Sequence, residues 1–533
     1  MKTEHLFHIT LGRQRVRTLL LTLLALLGLN FGVGSGSGLG FGLNFGLSFG
    51  LSFGTEAQAA MTHISGRAPQ FANHNIVFSC YADMLSRLRQ ELLTVVVDAD
   101  GNFSADIDLS EVTYVWTELG VYRGYIYLEP GARYEIALPP FIKKSDADRF
   151  NPFFEYRDVN LTLKAASSDL NMAIRQFDAF FDKALVTNAV TMVRHKDRDL
   201  SNRLMQSADS AQRAIGCRKP FFLQHVLYRK AQLFAASRLN QPKVVLKKFY
   251  MGRPVLYNMP AYWHTLDMLN PDIFRDLVSI NRQKRLLTLF SSVSQPSFTS
   301  VNEALATDSL LGADRQLREM LLVRQIRSAF YGRTLAEVSA DVMLTQAASQ
   351  CHAQRTRLVA ANIYARKNKL RSGLPAPELN LVDNADREVN IADYKGRFLY
   401  LCFMHTQNYE CQKVMAALDN LAQLHKDNLD VLCIFTDDDA DAMYASIAKR
   451  PHMWRGVSMI TNQRLMEEYE IRGLPTYFLI APDGCIEIAQ APGPSENVGP
   501  AIASAIRNYI LTQKRGRPDI PRTIYDVANG TNK

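Results

Sequence analysis

Residues 398–418 read FLYLCFMHTQNYECQKVMAAL, and the change of pattern inside this stretch decides the fold of the C-terminal region. The first seven residues form a continuous apolar run, which is typical of a strand buried on both faces. After a short polar segment, apolar residues recur at helical spacing at Val414, Leu418, Leu421 and Leu424. The stretch therefore predicts a buried strand that leads through a short loop into an amphipathic helix.

Strands and helices continue to alternate on both sides of this stretch, over residues 374–513. LDVLCIFT at 429–436 predicts a second buried strand, and PTYFLIAPDGCIEIAQ at 475–490 predicts a hairpin that turns at 482–484. IASAIRNYIL at 502–511 predicts a closing helix. Parallel strands joined by helices and followed by an antiparallel hairpin predict an α/β domain.

Two further regions precede this α/β domain. Residues 61–150 contain β-rich runs such as HNIVFSC and LLTVVVD, with turn signals at 98–102 and 130–131, and predict a small antiparallel, β-sandwich-like domain. Residues 151–370 place apolar side chains at i, i+3 and i+4, which predicts an all-α middle domain. Residues 514–533 are predicted to form a flexible C-terminal tail.

The first 60 residues carry the features of a signal peptide. A basic segment precedes the apolar run TLLLTLLALLGL at 18–29, and Ala57 and Ala59 supply the A-x-A pattern of a cleavage site. Between them lies a low-complexity tract rich in Gly, Phe and Leu, with the repeats GLNF, GLSF and GLSF at 42–53. The sequence therefore predicts export to the periplasm or cell envelope.

An uncleaved membrane anchor is the alternative for this segment. Residues 18–33 are nearly long enough to span a bilayer. No cysteine follows the predicted cleavage site, which argues against a lipoprotein. Both alternatives place the rest of the chain in the envelope.

Charge and motif content exclude several classes of function. The formal net charge is +9, but the basic residues are scattered among acidic ones, so no nucleic-acid partner is expected. Hydrolase and P-loop motifs are absent, and no cofactor or metal is expected. The seven cysteines include no pair three positions apart, so the chain has no C-x-x-C motif.

The C-terminal segment resembles the TlpA/ResA-type thioredoxin-like proteins of the bacterial envelope. FLYLCFMHTQNYECQKVMAAL resembles the strand, redox motif and helix of that family, and RGLPTYFLIAPDG at 472–484 resembles its cis-proline loop and hairpin. The second likeness implies a cis-proline at Pro475. NPFFEYRDV at 151–159 and KKFYMGRPVLYNMPAYWHTL at 247–266, with the leading β domain, resemble large multi-domain Bacteroidetes-type members.

The family's chemistry requires two cysteines, and this sequence has one of them. In the family, a first cysteine at the helix N-terminus attacks a disulfide and a second cysteine resolves the mixed disulfide. The corresponding tetrapeptide here is Asn408-Tyr409-Glu410-Cys411. Asn408 cannot form a thiolate, and Glu410 places a negative charge beside the remaining sulfur. Cys402 stands where the family commonly has a buried acid or amide.

Two functions follow from this degenerate motif. The first is a thioredoxin-like envelope protein without dithiol-disulfide oxidoreductase activity, which binds a protein or peptide in the groove beside Pro475. The alternative is a monothiol or rewired oxidoreductase in which Cys411 is the nucleophile. Its possible redox partners are Cys402, Cys433 and Cys485, although small buried cysteines are commonly core residues.

Overall fold

The computed structural model describes residues 59–145, 148, 154–161, 169–195, 198–237, 242–449, 451–462, 464–496, 498–515, 524 and 528. The predicted signal peptide and the alternative anchor at 18–33 lie outside these residues. Within the described ranges, the structure has no helix that combines the length and apolar character needed to cross a membrane.

The N-terminal β region is a two-sheet sandwich, as the sequence predicts. Its strands are β1 (Ala60–Arg67), β2 (Asn75–Tyr81), β3 (Arg89–Val96), β4 (Asn102–Leu109), β5 (Thr113–Leu119), β6 (Tyr122–Leu128), β7 (Arg133–Ile136) and β8 (Arg157–Asn160). One sheet has the order β4-β1-β7 and the other β3-β2-β5-β6-β8. Ile64 and Phe103 from the first sheet and Phe78 and Ile126 from the second meet in one buried core.

The strand pairings of this β domain are mainly antiparallel, as predicted, but two of them are parallel. β1 pairs with β7 in parallel, and β6 pairs with β8 in parallel. β8 also lies beyond residue 150, where the sequence pattern changes to helical. A four-residue edge strand with Val159 as its single apolar residue gives too weak a pattern to be found from sequence.

The turn at residues 98–102 joins the two sheets. β3 and β4 belong to different sheets, so this connection is a crossing between layers. Gly101 has φ +82°, and a Cβ atom at this residue would lie 2.5 Å from the Pro69 Cα atom. Only glycine therefore fits this turn without displacing the neighbouring backbone.

The middle region is helical, as predicted. Its helices are α1 (Leu170–His195), α2 (Arg198–Ile215), α3 (Pro220–Ser237), α4 (Pro242–Phe249), α5 (Pro260–Leu269), α6 (Ile280–Phe290), α7 (Phe298–Ala306), α8 (Arg315–Tyr331), α9 (Glu337–Gln350) and α10 (Gln354–Lys367), with a π-helical turn at Ile273–Leu277. Met84 and Leu85, from the loop after β2, are buried in the core of this region. The helices and the sandwich thus share apolar surface.

The C-terminal region has the predicted thioredoxin-like fold. Its strands are β9 (Leu381–Val382), β10 (Glu388–Val389), β11 (Phe398–Met404), β12 (Leu429–Phe435), β13 (Arg455–Ser458), β14 (Thr476–Ile480) and β15 (Ile486–Ile488). Its helices are α11 (Tyr409–Leu424), α12 (Ala440–Ile447), α13 (Leu465–Glu468) and α14 (Val498–Arg515). The central sheet has the order β13-β12-β11-β14-β15, in which β14 runs antiparallel to β11.

Side chains of β11 alternate between two cores. Tyr400 and Cys402 face the core that α11 and α14 cover, whereas Leu401 and Phe403 face the core on the opposite side of the sheet. Every residue of β11 is buried, as its unbroken apolar run predicts. The predicted apolar face of α11 ends early, because Leu424 in its last turn is 73% exposed.

Two residues of the predicted flexible tail have defined contacts. Ala528 is buried in the core of the helical region, and Ile524 packs against that core. The Arg357 side chain donates a hydrogen bond of 2.9 Å to the Ala528 carbonyl oxygen. At these two positions the structure differs from the prediction, because Ile524 and Ala528 each contact an apolar surface formed by distant helices.

Candidate functional site

Asn408, which the family resemblance aligns with the attacking cysteine, is the N-cap of α11. Its side-chain oxygen accepts a 3.1 Å hydrogen bond from the Cys411 backbone N–H. Asparagine is among the preferred N-cap residues because it satisfies a backbone donor that the helix itself leaves open. The residue therefore supports the helix start, while its amide offers no nucleophile for disulfide exchange.

Cys411 lies in the first turn of α11 and is fully buried. Burial raises the pKa of its thiol to about 11. The negative charges of Asp437 and Glu410 add to this rise in pKa, whereas a hydrogen bond from the His405 backbone opposes it. The expected effect of Glu410 on the pKa is thus present, but it is smaller than the effects of burial and of Asp437.

Cys402 and Cys433 occupy directly paired positions on the parallel strands β11 and β12. Both side chains are fully buried on the sheet face that also receives Cys411. Burial, followed by the neighbouring Cys433 thiol, raises the pKa of Cys402 well above its ordinary value. The structure therefore brings three of the four predicted thiols together in one core.

Cys485 is separate from this group. It follows β14, whose Ile480 pairs with Leu399 at the beginning of β11, and its backbone bridges to Pro375. Cys411 lies beyond Met404, at the other end of β11. Cys485 is consequently not placed to pair with Cys411, which corrects that part of the sequence prediction.

Pro475 lies at the end of the sheet where the motif begins. The next residue, Thr476, pairs with Phe403 near the end of β11, and the Leu474–Pro475 peptide bond is cis, as predicted. The nearby surface includes Tyr409, which is 67% exposed, and Gly473, in front of which there is open space. The motif helix and the Pro475 loop therefore border a solvent-accessible surface.

Asp437 holds the loop between β11 and α11, a role that the sequence analysis missed. It lies two residues after β12, and its carboxylate accepts hydrogen bonds from the Thr406 backbone N–H, at 3.1 Å, and from the Thr406 hydroxyl. The Thr406 carbonyl in turn accepts a 2.7 Å hydrogen bond from Gln412. An acidic residue directly after a buried strand was the available sequence signal, because parallel strands end at one edge of the sheet.

Metal chemistry has no visible site in the described part of the chain. Among those residues, no group of three or more His, Cys, Asp or Glu side chains is arranged to hold a metal ion. Cys402, Cys411 and Cys433 share one buried core with apolar side chains.

The Redoxin family model matches residues 371–503, which include the five-stranded sheet, the motif helix and the Pro475 loop. The C-terminal region is a Redoxin domain. This Redoxin domain occupies about a quarter of the chain, and the sandwich and helical regions lie before it.

Curated relatives of the Redoxin domain are thiol-disulfide oxidoreductases. The chain is 26% identical over 121 residues to thiol-disulfide oxidoreductase ResA of Bacillus thuringiensis (strain Al Hakam), which covers 23% of this chain and 70% of the relative. It is 24% identical over 123 residues to ResA of Bacillus subtilis (strain 168), covering 23% and 68% of the two chains.

Solved structures similar to the Redoxin domain include two from Bacteroides. The thioredoxin domain of a thiol-disulfide oxidoreductase from Bacteroides vulgatus is 22% identical, with a TM-score of 0.24, and the match covers 25% of this chain and 97% of that one. A thiol:disulfide interchange protein from a Bacteroides species is 20% identical, with a TM-score of 0.22 and coverage of 28% and 95%.

Proposed function

We propose that this chain is a TlpA-type envelope protein whose Redoxin domain binds a protein or peptide partner and lacks dithiol-disulfide oxidoreductase activity. The observation that carries the proposal is the position of Asn408. It caps α11 through the Cys411 N–H, at the site where the reaction would need a thiolate. Without an attacking thiolate, no mixed disulfide with a client can form at this position.

The state of Cys411 supports the same proposal. The thiol is fully buried and its pKa is raised to about 11, so it is neutral at physiological pH. A resolving cysteine acts after the first cysteine has engaged the substrate, and here that preceding step has no residue to perform it.

The partner site is proposed to lie between α11 and the Pro475 loop. Tyr409 offers a large exposed ring beside the motif, and its face carries the Lys413 ammonium at 4.1 Å from the ring centroid. Gly473, two residues before Pro475, is exposed, and a Cβ atom there would meet no other atom within 4 Å. Exposed backbone next to an aromatic side chain suits an extended peptide, which such surfaces recognise through main-chain hydrogen bonds and side-chain pockets.

Location in the envelope is part of the proposal and is supported by the sequence alone. The basic segment, apolar run and A-x-A pattern of residues 1–60 are those of an export signal. A partner of the Redoxin domain would accordingly be an envelope protein.

Insulin reduction with dithiothreitol as electron donor tests the absence of dithiol activity. We expect the mature protein to stay at the uncatalysed rate, and Asn408→Cys to exceed it because this variant restores both thiols of the motif. Asn408→Ser is the matched control, since serine has the size of cysteine and can cap the helix but cannot exchange disulfides. Turnover by the unaltered protein comparable to that of a two-cysteine thioredoxin would refute the proposal.

A rewired oxidoreductase is the second candidate, because Cys402, Cys433 and Cys411 share one core. A disulfide between two of these residues, formed by exchange with a client disulfide, would replace the missing dithiol. Mass-spectrometric mapping of protein trapped with an alkylating reagent during purification from the envelope distinguishes the two functions. A defined Cys411 disulfide would favour this candidate, whereas three reduced thiols would favour the binding role.

A further inference from the structure

Arginine side chains from distant segments meet at Asp267 of α5. The Asp267 carboxylate lies 3.0 Å from Arg87, in the segment between β2 and β3, and 3.6 Å from Arg324 of α8. The Arg324 side chain is 5% exposed, and its Nη2 atom donates to the Leu266 carbonyl and to the Asn270 side chain, each at 3.1 Å. Two guanidinium groups from different regions of the chain therefore share one carboxylate.

Arg327 brings a third guanidinium to the same place. It lies three residues after Arg324 on α8, so the two side chains project from the same face of the helix. Arg327 is half-buried, and its guanidinium carbon lies 5.4 Å from the centre of the Tyr331 ring. Within the described part of the chain, no oxygen accepts a hydrogen bond from Arg327. This side chain thus keeps its guanidinium donors available.

A fourth arginine adds to the positive charge. Arg366 of α10 donates a hydrogen bond to the carbonyl of Ser86, the residue before Arg87. Burial, followed by the charge of Arg87, lowers the pKa of Arg327 to about 10, and the Arg366 charge acts in the same direction. Arg327 is still charged at neutral pH. The Asp267 cluster, which consists of Arg87, Arg324, Arg327, Arg366 and Asp267, therefore has an excess of positive charge.

We propose that the Asp267 cluster binds a soluble anion that carries a phosphate group. A partly buried charge is costly unless it is paired and hydrogen-bonded, so an anion that accepts from Arg327 stabilises this arrangement. The planar donor fork of a guanidinium suits the several oxygens of a phosphate. The Nε atom of Arg324, in the guanidinium that reaches Asp267, is a second buried donor without a hydrogen-bond partner among the described residues.

The Asp267 cluster is accessible from solvent on one side. The side chains of Arg87 and Asp267 are 37% and 38% exposed, and Tyr331 is 48% exposed. Arg324, in contrast, is almost fully buried, so the donors extend from the surface inward. This arrangement favours a small soluble phosphate compound over the headgroup of a lipid in a flat bilayer. The inference concerns the β and helical regions and is independent of the function proposed for the Redoxin domain.

Isothermal titration of the full mature chain with inorganic pyrophosphate tests this site. The titration is done at neutral pH, with sodium chloride added to keep the ionic strength constant. We expect saturable binding, and Arg327→Gln should weaken it about tenfold, which corresponds to the loss of one charged hydrogen bond. Arg285→Gln is the matched control, because it removes the same charge from an exposed position on α6 and should bind like the unaltered protein.

A second variant keeps the test valid if Arg327→Gln folds poorly. Arg87 is more exposed, so Arg87→Gln should fold normally and weaken pyrophosphate binding about threefold. In a parallel experiment, the chain is mixed with vesicles that contain phosphatidylglycerol. The proposal is overturned if pyrophosphate does not bind saturably, if Arg327→Gln and Arg285→Gln bind it equally well, or if the chain binds the vesicles and not pyrophosphate.

Discussion

The first position of the redox motif can have two roles, which are to satisfy the helix N-terminus and to carry a thiolate. Asn408 fulfils only one of them. A helix N-terminus needs a side chain or solvent to satisfy its first backbone donors, and it also stabilises a thiolate placed there. Asn408 fulfils the first role with a 3.1 Å hydrogen bond to the Cys411 N–H. An amide cannot fulfil the second role. The fold can therefore keep the helix and its position while the nucleophile is absent.

Cys411 should be inert toward small alkylating reagents in the native protein. With a pKa of about 11, roughly one molecule in ten thousand carries the thiolate at pH 7, and the sulfur is also buried. After brief treatment with iodoacetamide, mass spectrometry should find Cys411 unmodified and the half-buried Cys217 modified. The alkylation rate of Cys411 should rise about tenfold per pH unit toward pH 10. Rapid alkylation of Cys411 at pH 7 would instead supply the nucleophile of the monothiol alternative.

At the scale of elements, the connection from β11 to α11 depends on the end of β12. Asp437 accepts from both the backbone and the hydroxyl of Thr406, and its charge contributes to the raised pKa of Cys411. Replacement of this carboxylate should therefore loosen the loop and lower the pKa of the thiol together.

We expect Asp437→Ala to increase the alkylation rate of Cys411 about tenfold, which corresponds to the loss of roughly one charged hydrogen bond. The rate is measured by mass spectrometry at pH 8 under native conditions. Asp438→Ala is the matched control, because the neighbouring Asp438 carboxylate pairs with Lys143 on the β region. Equal rates for the two variants would show that Asp437 does not control access to the thiol.

The sequence predicts the strands and helices of the Redoxin domain well where the apolar residues of an element follow one clear spacing. The unbroken apolar run of β11 and the turn before Cys485 are both found in the structure. Contacts between distant segments could not be predicted in the same way. Neither the hydrogen bonds between Asp437 and Thr406 nor the position of Cys485 at the far end of the sheet leaves a local pattern, because each depends on strand order and register.

At the scale of the whole molecule, the three regions share their cores and ion pairs. Met84 and Leu85 of the β region are buried among the helices, and the Asn362 side chain of α10 donates a 2.8 Å hydrogen bond to buried Asp83. Arg89 connects the β region to Glu467 of the Redoxin domain. The spacing of apolar residues correctly distinguishes the β region, the helical region and the α/β Redoxin domain. It carries no information on these contacts, since they depend on surfaces assembled from several elements.

The end of the chain should stabilise the helical region, although its composition predicts a flexible tail. Ala528 is fully buried there, Ile524 packs beside it, and Arg357 donates to the Ala528 carbonyl. Deletion of residues 524–533 should cost about 2 kcal/mol by exposing this apolar surface and removing the acceptor. Hydrogen exchange in peptides from α10 should then be faster by about an order of magnitude, whereas peptides from β11 should exchange as before. Unchanged exchange in α10 would mean that the segment contributes nothing to stability, and a chain ending at residue 523 would then be equivalent to the full one.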